Sequence, residues 1–142
     1  MASVILSETL KAYASASYTV IHEDGSCIDF KVEETNPDLQ GLLEARGAQQ
    51  AYFVTAYNPR SEALSEEENL ARQEELVRHC IEKSIQFLRG SSSDSSSSDL
   101  WLEQCLLLFC DADSGRRLGN MFEQNSIVEI SGGGLPSLLN LR

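Results

Sequence analysis

The stretch Ala51-Tyr-Phe-Val-Thr-Ala-Tyr-Asn-Pro-Arg60 decides the fold. Its apolar residues are followed at once by polar ones, which predicts a buried strand over 50–57 that ends in a polar loop. Asn58 falls at the end of that strand, and Pro59 stops the hydrogen-bonding ladder. Strand ends that lead into a loop and a helix are favoured ligand positions in α/β sheets, so Asn58 marks a candidate site. The alternative is an ordinary Asn-Pro turn, in which the Asn side chain bonds to local backbone.

A long helix is predicted directly after this loop. Ser65-Glu-Glu-Glu68 has the pattern of a capping box, and the apolar spacing continues to Leu88. Asn69 lies one turn inside the helix, and Arg72 shares its side. If that side faces Asn58, the two asparagines and the arginine would clamp a carboxylate or a phosphate. The alternative is a solvated helix face.

The sequence before this region predicts a helix, a hairpin and a second helix. Residues 4–17 have helical spacing, and an Asp-Gly turn joins strands at 18–21 and 27–32. Asn36-Pro37 is typical of a helix start, and Gly47 of a helix end.

The sequence after the long helix predicts a loop, two strands around a short helix, and a final extended segment. Residues 90–99 contain mostly serine and are expected to form a flexible surface loop. Residues 100–110 form a nearly continuous apolar run, which indicates a buried strand. A short helix is expected over 111–122, a strand over 126–130, and a strand or extended tail over 135–141.

These elements predict an α+β fold, a mixed α/β sandwich. A single sheet of about five or six strands would carry helices packed on it. The chain has 142 residues, of which 42% are hydrophobic, so one domain spanning residues 1–142 is expected, with the flexible serine-rich loop at 90–99.

Further polar residues extend the candidate site. Glu103 stands inside a very apolar strand, where a carboxylate must be paired, hydrogen-bonded or protonated, so it is the candidate catalytic acid or base. A structural ion pair or a solvent-facing edge position is the alternative. Gln124 and Asn125, just before a strand, either hydrogen-bond a polar ligand or bridge helix and strand. Alternation along the strand places Thr55 on the same face as Tyr57, and Thr55 is the last of the candidate ligand-binding residues.

Charge and cysteine content limit the partners and the compartment. Twenty-two acidic residues against eleven basic ones give a net charge of −11, which disfavours nucleic acids and anionic membranes. The four cysteines form no C-x-x-C pair, and neither a signal peptide nor a membrane span is recognisable, so a cytoplasmic protein is expected. His22 and His79 have no further ligands at metal-binding spacing, so neither a metal nor a cofactor is predicted.

The polar motifs occur in an order that resembles an uncharacterised bacterial family, domain of unknown function 3293. The similarity runs from about residue 52 to the C-terminus and implies a small stand-alone bacterial domain, but no activity. The chain departs from the family at Glu123, where glycine is usual, and at Leu102, where proline is frequent. The resemblance rests on Thr55-Ala-x-Asn58-Pro59, Asn69, Trp101-x-Glu103, Phe122-x-Gln124-Asn125-x-Ile127-Val128 and a closing Gly-x-Pro-x-Leu.

Two functions are compatible with these features. The first is binding of a small polar or anionic ligand in a cleft at the strand ends. The second is an acidic, non-catalytic interaction or inhibitor protein that binds a basic partner. No nucleophile–base pair is recognisable, so catalysis is not predicted. An apolar face on the final strand would allow a homodimer, although nothing in the sequence requires one.

Overall fold

A computed structural model describes residues 16–94 and 101–141. Within these ranges the chain forms seven strands, three helices and one 3₁₀ turn at Pro59–Ser61. The strands are β1 (Ala16–Ile21), β2 (Cys27–Phe30), β3 (Gln50–Val54), β4 (Gln86–Asp94), β5 (Trp101–Phe109), β6 (Ser126–Ser131) and β7 (Pro136–Asn140). The helices are α1 (Pro37–Ala45), α2 (Glu66–Glu82) and α3 (Ala112–Met121).

All seven strands belong to one curled sheet in the order β2-β1-β4-β5-β3-β6-β7. Every neighbouring pair is antiparallel. The predicted combination of one sheet and packed helices is confirmed. The expected number of five or six strands was wrong, because the sequence did not reveal β4.

Strand β4 corrects two predictions at once. The long helix ends at Glu82 rather than at Leu88, and Gly90 to Asp94, expected to belong to a flexible loop, continue the strand that begins at Gln86. The strand pairs with β1 on one side and β5 on the other, so these neighbours satisfy its backbone. Serine has little intrinsic preference for strands, and the tertiary context overrides it. Residues 95–99 of the expected loop, and the expected helix as far as residue 15, lie outside the described residues.

The two faces of the sheet bury separate apolar clusters. Alternation along β3 directs Phe53 to one face and Tyr52 to the other. Helix α1 covers the Phe53 face with Leu39 and Leu43, while α2 and α3 cover the Tyr52 face. Because helices lie on both faces, residues 51–54 of β3 and 105–108 of β5 are buried and apolar.

The curl of the sheet brings its two edges together at one point. The amide of Glu33, just after β2, donates to the carbonyl of Pro136 in β7 at 2.8 Å, and the amide of Asn36 donates to the carbonyl of Gly134 at 2.9 Å. Gly134 has φ +78°, and a Cβ there would lie 2.5 Å from the carbonyl oxygen of Asn36. Glycine is therefore required where α1 begins against the β6–β7 turn.

Side-chain caps begin each helix, and those at Asn36 and Ser65 are the ones that the sequence predicts. Asn36 accepts from the amides of residues 38 and 39, and Asp111 accepts from the amide of Ser114. Ser65 and Glu68 form the complete capping box of α2. No helix within the described ranges is both long and apolar enough to cross a membrane.

Candidate functional site

The candidate site is built around residues 55–64, the loop between β3 and α2. Strand β3 ends at Val54 opposite Leu106, whereas β5 and β4 continue past this point. The Thr55 hydroxyl donates to the carbonyl of Gln104 at 2.6 Å and accepts from the amide of Tyr57 at 3.0 Å. The chain therefore turns away from the sheet, which leaves this stretch of β5 without β3 beside it.

Asn58 is the centre of a three-residue network. Its Nδ2 donates to Oε2 of Glu103 at 2.9 Å, and its Oδ1 accepts from Nδ2 of Asn69 at 2.8 Å. Its backbone amide donates to Oδ1 of Asn69, also at 2.8 Å. The structure thus brings together a loop, a helix and a strand at this point, and Asn69 and Glu103 are only 3% and 6% exposed.

The network fixes a backbone that is unfavourable by itself. Asn58 has φ 45° and ψ 67°, and Arg60 has φ 55°, so both residues are left-handed. The amide of Leu64 donates to Oδ1 of Asn58 at 3.0 Å, which ties the far end of the loop to its start. Asparagine tolerates the left-handed conformation better than most residues, which accounts for its place at this turn.

Arg72 and Gln124 join the loop to the segment that precedes β6. Arg72 donates from Nε to the carbonyl of Ala56 at 2.9 Å and from Nη2 to the carbonyl of Phe122 at 2.7 Å. The Nε2 of Gln124 donates to the carbonyl of Tyr57 at 3.0 Å. The side of α2 that carries Asn69 and Arg72 does face the loop, but these donors of Arg72 are directed to main-chain oxygens.

Asn125 lies at the end of the same segment, directly before β6. Its carbonyl accepts from the amide of Leu141 at 2.8 Å, which extends the β6–β7 pairing by one step. Its side chain is half-buried and has interactions of its own. The structure therefore places Asn125 beside Gln124, at the edge of the contacts that hold the loop.

Gln73 belongs to this site and was missed by the sequence analysis. It is 1% exposed, and its Oε1 accepts from the amide of Ala56 at 3.1 Å, while its Nε2 has no hydrogen-bond partner. The available signal was its position four residues after Asn69, on the stripe that continues with the buried residues Leu76 and Val77. A glutamine on an apolar stripe must find a partner inside the protein.

Tyr57 contributes a second missed contact. Its hydroxyl donates to Oε1 of Glu66 at 2.8 Å, which connects the loop to the first turn of α2. Burial, and then the hydrogen bond to Glu66, raise the pKa of Tyr57. The phenol therefore remains a neutral donor throughout the physiological range.

Cys105 and Ser92 lie beside Glu103 on the sheet. Ser92 is directly opposite Glu103 in the β4–β5 ladder, and the Cys105 sulfur lies 3.7 Å from the Ser92 hydroxyl. Burial above all raises the pKa of the Cys105 thiol, and the charge of Glu103 adds to this effect. The thiol is thus neutral and packs as a small apolar group.

The region just described coincides with a known family. A model of the family described as "Protein of unknown function (DUF3293)" matches residues 54–127, more than half of the chain. The chain belongs to this family. No curated protein and no solved structure matches it. The matched range contains every residue of the predicted site, so the resemblance found in the sequence is confirmed.

Glu123 adopts a backbone conformation that suits glycine better than other residues. Glu123 has φ 58°, a conformation that glycine adopts without strain. Its carbonyl accepts from the amide of Arg60 at 2.7 Å, and its carboxylate lies 3.5 Å from Nε of Arg60. This DUF3293 chain therefore has the left-handed conformation that glycine favours there, and adds an exposed ion pair to the loop.

Proposed function

We propose that this DUF3293 protein binds a small polar or anionic ligand against the 55–64 loop, at the end of β3. The observation that supports this most is the convergence of Asn58, Asn69 and Glu103 on a loop with two left-handed residues. Strained backbone held by a dedicated network is common at ligand sites. A plain turn between a strand and a helix needs no such arrangement.

The contacts suggest different roles for the predicted site residues. Asn58, Asn69 and Arg72 position the loop, because the atoms described above already bond within the protein. Arg60 is the group with capacity for a ligand, since 58% of its side chain is exposed. Its ion pair with Glu123, at 3.5 Å and exposed to solvent, is weak, so an anion would compete for the guanidinium. Glu103 is buried and bonded to Asn58, so it would act on a ligand through the position of Asn58.

Thermal-shift screening against a metabolite and nucleotide library tests the proposal. A ligand at a hundredfold excess over its dissociation constant stabilises the folded state by roughly 2.7 kcal/mol, which raises the melting temperature. Arg60→Ala removes the exposed cation, and Arg117→Ala removes another exposed cation, from α3, as a control. We expect a hit that persists in Arg117→Ala and weakens in Arg60→Ala. A hit that both variants keep would place the site elsewhere, and no hit at all would count against ligand binding.

A protein–protein interaction is the second candidate, and the outer face of α2 supports it. That face exposes Glu67, Glu68, Glu74 and Glu75 together with Leu70, which is 40% exposed. Acids around an apolar residue suit a basic partner. Charge reversal at Glu67 and Glu74 should then weaken capture of the partner, and salt should do the same. Capture that is unchanged by both would rule this surface out.

A further inference from the structure

Strand β7 forms one outer edge of the sheet, and its backbone groups alternate in direction. The amide of Leu141 donates to the carbonyl of Asn125 at 2.8 Å, in register with the β6–β7 ladder. In an antiparallel ladder such bonded pairs recur at every second residue, so the odd-numbered residues of β7 bond to β6. The amides and carbonyls of Leu138 and Asn140 therefore point away from the sheet.

These outward groups are available for pairing with another strand. The carbonyl of Pro136, which has the same direction, accepts from the amide of Glu33 at 2.8 Å. Within residues 16–94 and 101–141, no group bonds to the outward amides and carbonyls of Leu138 and Asn140. The side chains of Leu138 and Leu139 are only half-buried, so apolar surface remains beside this open part of the edge.

The opposite edge of the sheet is protected in a way that β7 is not. On β2 the carbonyl of Asp29 accepts from Nδ2 of Asn36 at 3.0 Å, and Asp29 and Lys31 place charges in this strand and just after it. Charged side chains and covering groups are the usual protection of sheet edges. Residues 130–141 contain no charged residue, although the chain has a net charge of −11. At β7, two copies of this acidic protein can therefore approach without bringing like charges together.

We propose that β7 pairs antiparallel with β7 of a second copy, about a two-fold axis at Leu139. Within residues 136–141 only one symmetric register bonds the outward groups of both Leu138 and Asn140, and it places each of them opposite the other. Leu139 then lies opposite Leu139 of the second copy, in a pair without hydrogen bonds, with the two Cβ atoms about 5 Å apart. A register centred on Leu138 would bring Asn140 opposite Pro136, which has no amide hydrogen. The leucine contact and the backbone bonds on either side of it hold the dimer.

Leu138→Pro tests the backbone bonds, because the amide that proline lacks is not used within one copy. Leu138→Ala is the matched control, since it loses the same side chain and keeps the amide. In sedimentation equilibrium, the mass of the wild-type protein should rise from that of one copy toward that of two as its concentration approaches about 1 mM. The dissociation constant should be about tenfold higher for Leu138→Pro than for Leu138→Ala. A wild-type protein that stays monomeric, or equal dissociation constants for the two variants, would overturn the proposal.

Cysteine cross-linking tests the register while the backbone of β7 stays intact. The background is Cys27→Ser, which removes the exposed native cysteine. Leu139→Cys places two thiols across the axis within reach of a disulfide, whereas in Ser137→Cys, also at a half-buried position, they lie about 13 Å apart along the strands. With oxidised glutathione, Leu139→Cys should form a disulfide-linked dimer at least about tenfold faster than Ser137→Cys, as measured by non-reducing gel electrophoresis. Equal rates, or no cross-link in Leu139→Cys, would contradict a two-fold axis at Leu139.

Discussion

Two polar segments lie beside Glu103, and they are ordered in different ways. The 55–64 loop is held by side chains, with Asn58 bonded to both Asn69 and Glu103. The serine-rich half of β4, residues 90–94, is held by its backbone between β1 and β5. Amide and carboxylate groups can specify an irregular backbone through their hydrogen bonds, whereas the serines of β4 occupy positions that the ladders with β1 and β5 fix. A polar composition alone does not distinguish these two cases.

The largest expected effect comes from Asn58→Ala. The change leaves Glu103 without one of its partners, removes the acceptor for the amide of Leu64 and places alanine at φ 45°. Loss of one partner of a buried charge is strongly destabilising, so we expect the free energy of unfolding to fall by about 3 kcal/mol. Urea denaturation measures this.

The corresponding truncation in β4 sharpens the comparison. Ser92→Ala removes a hydroxyl that is as buried as Glu103 and lies 3.7 Å from the Cys105 sulfur. We expect a loss below about 1 kcal/mol, because the backbone ladder remains. Asn120→Ala, at an exposed position of α3, serves as a control for Asn58. If Ser92→Ala cost as much as Asn58→Ala, the proposed difference between the segments would be wrong.

Gly90→Ala should destabilise β4 by about 2 kcal/mol, through crowding rather than lost bonds. A Cβ at Gly90 would lie 2.4 Å from the carbonyl oxygen of Thr19 and 2.8 Å from the Phe53 ring. Thermal unfolding followed by circular dichroism tests this. Gly41→Ala, in α1 with nothing within 4 Å of the added Cβ, should be stabilising by about 0.5 kcal/mol. Equal effects of the two variants would contradict the crowding.

Glu123→Gly should stabilise the protein slightly, by about 0.5 kcal/mol. Glycine relieves the left-handed strain at φ 58°, and the exposed ion pair with Arg60 contributes little. Glu74→Gly, on the exposed face of α2, should instead lose about 1 kcal/mol. Urea denaturation of both variants measures whether each change raises or lowers the free energy of unfolding. Destabilisation by Glu123→Gly would show that the ion pair outweighs the strain.

Alkaline pH should lower the free energy of unfolding, whereas pH changes near neutrality should leave the contribution of these buried groups unchanged. Burial raises the folded-state pKa of Tyr57, whereas the unfolded chain releases this proton near the ordinary value of 10.0. Above pH 10 the unfolded state therefore binds fewer protons than the folded state. The contribution of Tyr57 to the free energy of unfolding is complete below pH 10 and declines above it. Burial raises the pKa of Cys80 to about 11, from an ordinary value of 9.0, so the decline should begin near pH 9. Urea midpoints against pH measure it, and Tyr57→Phe should make the decline shallower above pH 10.

The sequence predicts the parts of this fold that depend on local chemistry. The caps at Asn36 and Ser65, the hairpin turn and the apolar run of β3 follow from residue types at fixed spacing. The sequence does not predict strand β4, because a run of serines forms a strand only where neighbouring strands pair with it. For the site, the sequence left two alternatives for Asn69, contact with Asn58 or a solvated helix face, and the structure has Asn69 bonded to Asn58. The sequence missed Gln73 and the Tyr57–Glu66 bond, since each depends on how α2 sits over the loop.

The contact between the two sheet edges also governs how further strands can be added. Exposed edges are templates for aggregation and for pairing with other chains. On β7, Pro136 has no amide hydrogen, and its carbonyl is already occupied by the amide of Glu33. A second copy that pairs with β7 would therefore have to do so beyond Pro136, over only four residues as far as Asn140. So short a register would depend on side-chain packing around Leu138 and Leu139 rather than on a continuous ladder.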